Sequence, residues 1–151
     1  MRCVHRAPPG LNFILFMFIK RAEYCEVQVP TSNTNQTLYF PDLPNLRTAK
    51  IFGLEIYTGD TLTTAESGNT VVSEANVKLS LINLYFDQGY FIKVPGISLY
   101  RNDGAAYYYK IPALAGQVIV WPKCYVQMVT STAAAAVSGQ SFVFSVYYSL
   151  K

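Results

Sequence analysis

Charge is what this chain has least of. Only 14% of its 151 residues are Asp, Glu, Lys or Arg, where an ordinary soluble domain carries about 25%. So few charges leave little material for solvated helix faces, and they force apolar and tyrosine-rich surface either into solvent or under a partner. That shortage argues for assembly. The net charge of +3 is small, and Lys50, Lys78, Lys93, Arg101, Lys110 and Lys123 are scattered, so binding of a specific nucleic acid has no electrostatic footprint. Histidine is nearly absent: His5 stands alone near the start, which leaves an acyl-transfer triad without a base inside the domain. Cys3, Cys25 and Cys124 form no CxxC and no Cys/His ligand spacing. They read as thiols rather than as a disulfide framework, and no metal or cofactor is expected. No glycine cluster opens a helix, as a phosphate-binding loop would. No apolar run approaches the ~20 residues that span a bilayer.

The nine acids hold no obvious catalytic pair. Most sit in turn-like segments, where Asp and Asn are favoured for backbone hydrogen bonding. Glu55 is the exception, on a strand between Leu54 and Ile56, and reads as an outward residue facing a cross-strand lysine. No catalytic residue is assigned, and the chain is not expected to be an enzyme. The sequon Asn35–Gln36–Thr37 is a short match of low specificity.

What is present is β-pattern. With 51% apolar and 15% aromatic residues, one domain of this length buries a core without staples. Short apolar runs alternate with turn signals from Glu23 onward. The expected strands are 23–29, 36–40, 48–57 with Gly53 marking a bulge, 70–73, 77–86, 90–94, 106–111, 117–121, 124–130 and 142–150. Pro30, Pro41, Pro44, Pro95, Pro112 and Pro122 punctuate them. Asp87–Gln88–Gly89 and Asn102–Asp103–Gly104 are tight-turn signals. Ala133 to Ala136 reads as loop, and 58–75 as an exposed polar loop. In 77–86, Val77, Leu79, Leu81, Asn83 and Tyr85 are expected on the inward face. Ile82, Leu84 and Phe86, on the other face, are then expected under a neighbouring subunit. The whole is an all-β, antiparallel β-sandwich over 23–151.

Residues 1–22 form an N-terminal arm. Arg2, His5 and Arg6 precede LNFILFMFI (Leu11 to Ile19), followed by Lys20 and Arg21. No small-residue cleavage site follows that run, unlike in a secretory leader. Three readings stand: an arm docked on a neighbour, an extra strand, or a membrane-touching anchor. Phe13 and Phe16 are its candidate contact residues. Tyr85, Phe86, Tyr100, Tyr107, Tyr108 and Tyr109 are the candidate interface residues of the domain, since tyrosine is favoured at buried contacts. Tyr100, Tyr107 to Tyr109 and Trp121 also suit a stacking platform, so a carbohydrate- or receptor-binding module of the adhesin or spike kind is the alternative reading.

The segment Leu38 to Tyr57, LYFPDLPNLRTAKIFGLEIY, places a short strand and a proline turn before a long strand, and GQSFVFSVYYSLK closes the chain. Together with the arm and the polar loop, this order resembles the single jelly-roll capsid and penton proteins of icosahedral, tailless phage-like viruses. The resemblance covers 23–151 and is architectural. It implies an eight-stranded barrel of two Greek-key sheets. It also implies a virion structural protein, as penton or coat, and self-association as a homopentamer or another ring together with other capsid proteins.

Overall fold

The computed structural model describes residues 21–100 and 116–150. Among them, two sheets face each other. The first has the order β1 (Arg21–Gln28), β8 (Gln140–Ser149), β3 (Lys50–Tyr57), with the two-residue β4 (Thr70–Val71) parallel to the start of β8. The second has the order β2 (Thr37–Tyr39), β7 (Tyr125–Met128), β5 (Ser80–Tyr85), β6 (Phe91–Pro95), every pair antiparallel. The expectation of an all-β antiparallel sandwich holds at that level. Arg21 and Ala22, counted with the arm from the sequence, lie in β1.

β8, QSFVFSVYYS, is the centre of the first sheet, ten residues long and paired with β1 on one side and β3 on the other. Phe142, Phe144, Val146 and Tyr148 enter the core, while Ser141, Val143 and Ser145 face away. β1 contributes Cys25 and Val27 to the same core, and β3 contributes Leu54 and Ile56. The register of β3 on β8 slips between Ile51 and Gly53, the bulge that Gly53 signalled. From the second sheet, Leu38, Ile82, Leu84, Val126 and Met128 close the core. Phe40 bridges the layers, 5.0 Å from Phe144 and 5.6 Å from Trp121 between ring centroids. Each fully buried phenylalanine contributes about 1.5–3 kcal/mol of burial free energy.

Three sequence expectations are corrected. Glu74–Val77 is a helical turn, α1, whose amide of Asn76 donates to the Ser73 side chain. The strand expected from Val77 therefore begins at Ser80. Its core face is Ile82 and Leu84, with Phe86 following them inward at 0% exposure. Because side chains alternate, choosing the other phase exchanges every position between the faces. Phe86 is thus spent inside its own chain, stacked 4.7 Å from Tyr90, and is no interface residue. Second, Ser131–Ala136 is a helix, α2, with the Ala133 amide donating to Thr130. Alanine has the highest helix propensity, and the Thr130 cap decides the segment. Asn33 holds α2 down, donating to the Ala134 carbonyl at 3.0 Å and to that of Asn35 at 2.9 Å.

The third correction concerns 117–121, expected as one strand. Here Ile51 exchanges backbone bonds with Gln117 and Gly116, while the Val120 amide donates to Tyr85 at the end of β5 and the Val118 carbonyl accepts from Asp87 beyond it. A 3-10 turn at Trp121–Lys123 then interrupts the approach to β7. The Cys124 thiol fills the resulting gap in the ladder. It accepts from the Tyr85 amide at 3.3 Å and donates to the Val120 carbonyl at 3.4 Å. The expected strand 106–111 and the turn at 102–104 lie outside the described residues.

Candidate functional site

The outer faces of the two sheets differ. On the first sheet, the loop after β3 folds back over Val143, forming a small second core with Ala65 and Val71 against Tyr24, Tyr57 and Leu62. Glu26 ties it down. One carboxylate oxygen accepts from Ser141 Oγ at 2.6 Å and from Ser67 Oγ; the other accepts from Tyr24 Oη at 3.0 Å and the Ser67 amide at 3.3 Å. Burial opposes ionisation of Glu26, but the hydrogen bonds from Ser141, Ser67 and Tyr24 outweigh it and lower its pKa. The loop expected to be exposed is therefore partly structural. Glu55 lies on this same face but is 1% exposed and accepts from the Tyr147 hydroxyl at 2.7 Å.

The outer face of the second sheet carries the most distinctive surface. The register sets Tyr39 beside Tyr125, Tyr125 beside Asn83, and Asn83 beside Lys93; one step along, Tyr85 pairs with Phe91. The rings join in a row. Tyr39 to Tyr125 is 5.7 Å, Tyr125 to Phe91 6.1 Å and Phe91 to Tyr85 4.7 Å, all edge-to-face, the geometry that ring quadrupoles favour. Lys123 Nζ sits 4.6 Å from the Tyr85 ring centroid, within cation–π range. Tyr39 is 62% and Phe91 50% exposed. Below the rings, Asn83 is fully buried. Its amide nitrogen reaches the Leu81 carbonyl only at 3.5 Å, and its Oδ1 has no hydrogen-bond partner. A buried amide oxygen without a donor costs about 1–3 kcal/mol.

A cleft of about 470 Å³ lies beyond β2, lined by Asp42, Arg47, Thr48, Asp87 and residues 118–122. It is poor in reactive groups. The hydrogen bond and charge of Arg47 hold the Asp42 carboxyl below the usual carboxylate range, so it stays ionised and cannot donate a proton near neutrality. Among the described residues no three His, Cys, Asp or Glu side chains could hold a metal ion, and no helix is long and apolar enough to cross a membrane.

Of the residues singled out by sequence, Tyr85 belongs to the aromatic row, Phe86 to the core, and Tyr100 packs half-buried against that core. Trp121, 1% exposed, is core rather than platform. Tyr107, Tyr108, Tyr109, Phe13 and Phe16 lie outside the described residues. Tyr39, Phe91 and Tyr125 were missed. Each is one aromatic in a short strand, and only pairing between segments far apart in sequence lines them up. Neither a protein-family model, nor a curated protein, nor a solved structure matches the chain.

Proposed function

We propose that this chain is a virion structural protein, a single jelly-roll subunit that assembles with copies of itself into a symmetric shell, as penton or coat. The observation that carries the reading is strand order. The first sheet takes β1, β8 and β3 and the second β2, β7, β5 and β6, so the chain changes layer from β1 to β2, from β2 to β3 and from β7 to β8, as it does when a long hairpin is wrapped into two Greek keys. Such a barrel sets one more strand beside the third. The outer edge of β3 is bridged at Ile51 by Gln117 and at Ile56 by Tyr100, which is compatible with that place being taken.

Surface chemistry supports assembly as well. Leu79 and Val129, joined by a backbone bond of 3.0 Å, are 42% and 47% exposed, and Leu150 is 50% exposed. In so lightly charged a chain, apolar groups at the domain's margins suit contact between subunits. The short β2, Pro30 beyond β1 and Lys93 with Pro95 on β6 blunt open-ended edge pairing, which favours closed rings over fibres.

The test is the mass of the full-length chain at micromolar concentration, by sedimentation velocity and negative-stain imaging. Closed rings, pentamers foremost, or shells are expected. A monomer at every concentration up to about 100 µM, far weaker than a stable interface delivers, overturns the reading.

A further inference from the structure

We infer that the aromatic face of the second sheet is a carbohydrate site, and that its ligand is a short acidic oligosaccharide. It is independent of whether the chain builds a shell.

Three possible kinds of occupant are separated by size and charge. The row from Tyr39 to Tyr85 is under 17 Å long even if its three centroid steps lie in line. A stable protein partner needs about 800 Å² per side, more than one row of rings supplies. A single nucleic-acid strand would stack on the same rings, but it also needs cations along its backbone. Among the described residues, Lys93 and Lys123 are the cations placed at this face, enough for about two phosphates and a shallow salt dependence. A few sugar rings match the length. Their C–H faces pack on exposed aromatics, and their hydroxyls donate hydrogen bonds.

The floor of the face asks for such a donor. Asn83 Oδ1 is an acceptor buried between Tyr125 on β7 and Lys93 on β6, with no partner. A sugar hydroxyl admitted between the rings satisfies it, and a purely apolar ligand does not. Charge selects within the class. None of the outward positions of β2, β5, β6 and β7 is acidic, while Lys93 is exposed and Lys123 lies against Tyr85. A uronate or sialate carboxylate therefore meets cations and no repulsion. Phe91 and Tyr39 stack the sugar, Lys93 and Lys123 hold its carboxylate, and Asn83 fixes its orientation.

The experiment titrates the full-length protein with trigalacturonic acid and 3′-sialyllactose, with lactose and maltotriose as neutral counterparts and an oligothymidylate as the rival stacking ligand. Saturation-transfer NMR and calorimetry read the binding. The expected result is a Kd between about 10 µM and 1 mM for at least one acidic sugar, at least about fivefold tighter than its neutral counterpart. Saturation should pass to the sugar C–H protons. Phe91→Ala should weaken binding about tenfold or more and Lys93→Gln severalfold, each with an unchanged unfolding temperature. No acidic sugar binding at about 10 mM, equal affinity for neutral sugars, indifference to Phe91→Ala, or tighter binding of oligothymidylate each overturns the inference. None of these outcomes bears on the oligomer measured above.

Discussion

Replacing Glu26 by Gln tests whether a single carboxylate holds the loop after β3 to the sheet. The side chain keeps its shape but exchanges one acceptor oxygen for a donor NH2. If the NH2 faces the Ser67 amide, two donors oppose each other, and the amide cannot rotate away. If it faces the hydroxyls of Ser67 and Ser141, those must turn to accept. Both already receive a proton, from the Asn69 amide and the Asn69 side chain respectively, and their own protons then lose their acceptor. Either way one or two hydrogen bonds to a charged group are lost, each worth about 1.5–3 kcal/mol when buried. The site is partly open to water, so about 1–2 kcal/mol is expected, a fall in Tm of about 2–8 °C for a domain of this size. Amide exchange localises the effect: Gly59, Val71 and Val72, which bond Val72, Thr63 and Ser141 carbonyls, should lose protection while the β1–β8 ladder keeps it.

The dependence on pH gives a second reading. The Glu26 pKa is lowered in the folded protein, so its contribution is fully present above the unfolded value of about 4.3 and is lost as pH falls through the folded one. The stability gap between wild type and Glu26→Gln should therefore be constant from pH 6 to 8 and shrink below about pH 4. A Tm change under about 1 °C, or a gap that persists undiminished at pH 3, refutes the reasoning.

Other consequences are more direct. Burial pushes the Cys25 thiol up to about 12, with the nearby Cys124 adding to the effect, and burial pushes Cys124 up to about 12 as well. Neither should be alkylated by iodoacetamide at pH 8 until the protein unfolds, as peptide mass mapping would show. Cys124→Ala leaves the Tyr85 amide without its acceptor and should cost about 1–3 kcal/mol in urea unfolding; an unchanged midpoint would show that the thiol is only filler. Gly96→Ala would set a Cβ against Ser80 Oγ and 2.8 Å from the Val77 carbonyl. It should destabilise by about 1–3 kcal/mol, read by calorimetry.

The sandwich was legible because short apolar runs recur between turn signals along the chain, and because β8 sets Phe142, Phe144 and Val146 on one face. β5 was harder. Leu79 and Leu81 offer one apolar face and Ile82, Leu84 and Phe86 the other, so periodicity alone could not choose between them. The choice is made by α1: Ser73 caps a turn that consumes Val77 and Lys78, and the strand enters in the opposite phase. The Ala133 helix was misread for a similar reason, since its cap at Thr130 sits in a run of small polar residues that also suits a loop. The aromatic row could not be read at all. Tyr39 and Tyr125 lie 86 positions apart, and their adjacency is set by the pairing of β2 with β7. Likewise Glu26 and Ser67 become neighbours only when the loop returns over Val143.

The pairing of β1 with β8 has a mechanical meaning. The two strands run antiparallel from Arg21 opposite Tyr148 to Gln28 opposite Ser141, so Arg21 and Ser149 stand at the same end of one ladder. A load applied between those two residues peels the ladder open one rung at a time, instead of shearing all of its rungs together. Pulled from these points, the domain should yield at low force by losing β1 first, however well its interior resists heat. Two handles at Gln28 and Ser149, at opposite ends of the same pair, would load the rungs in parallel and should find a much stiffer molecule.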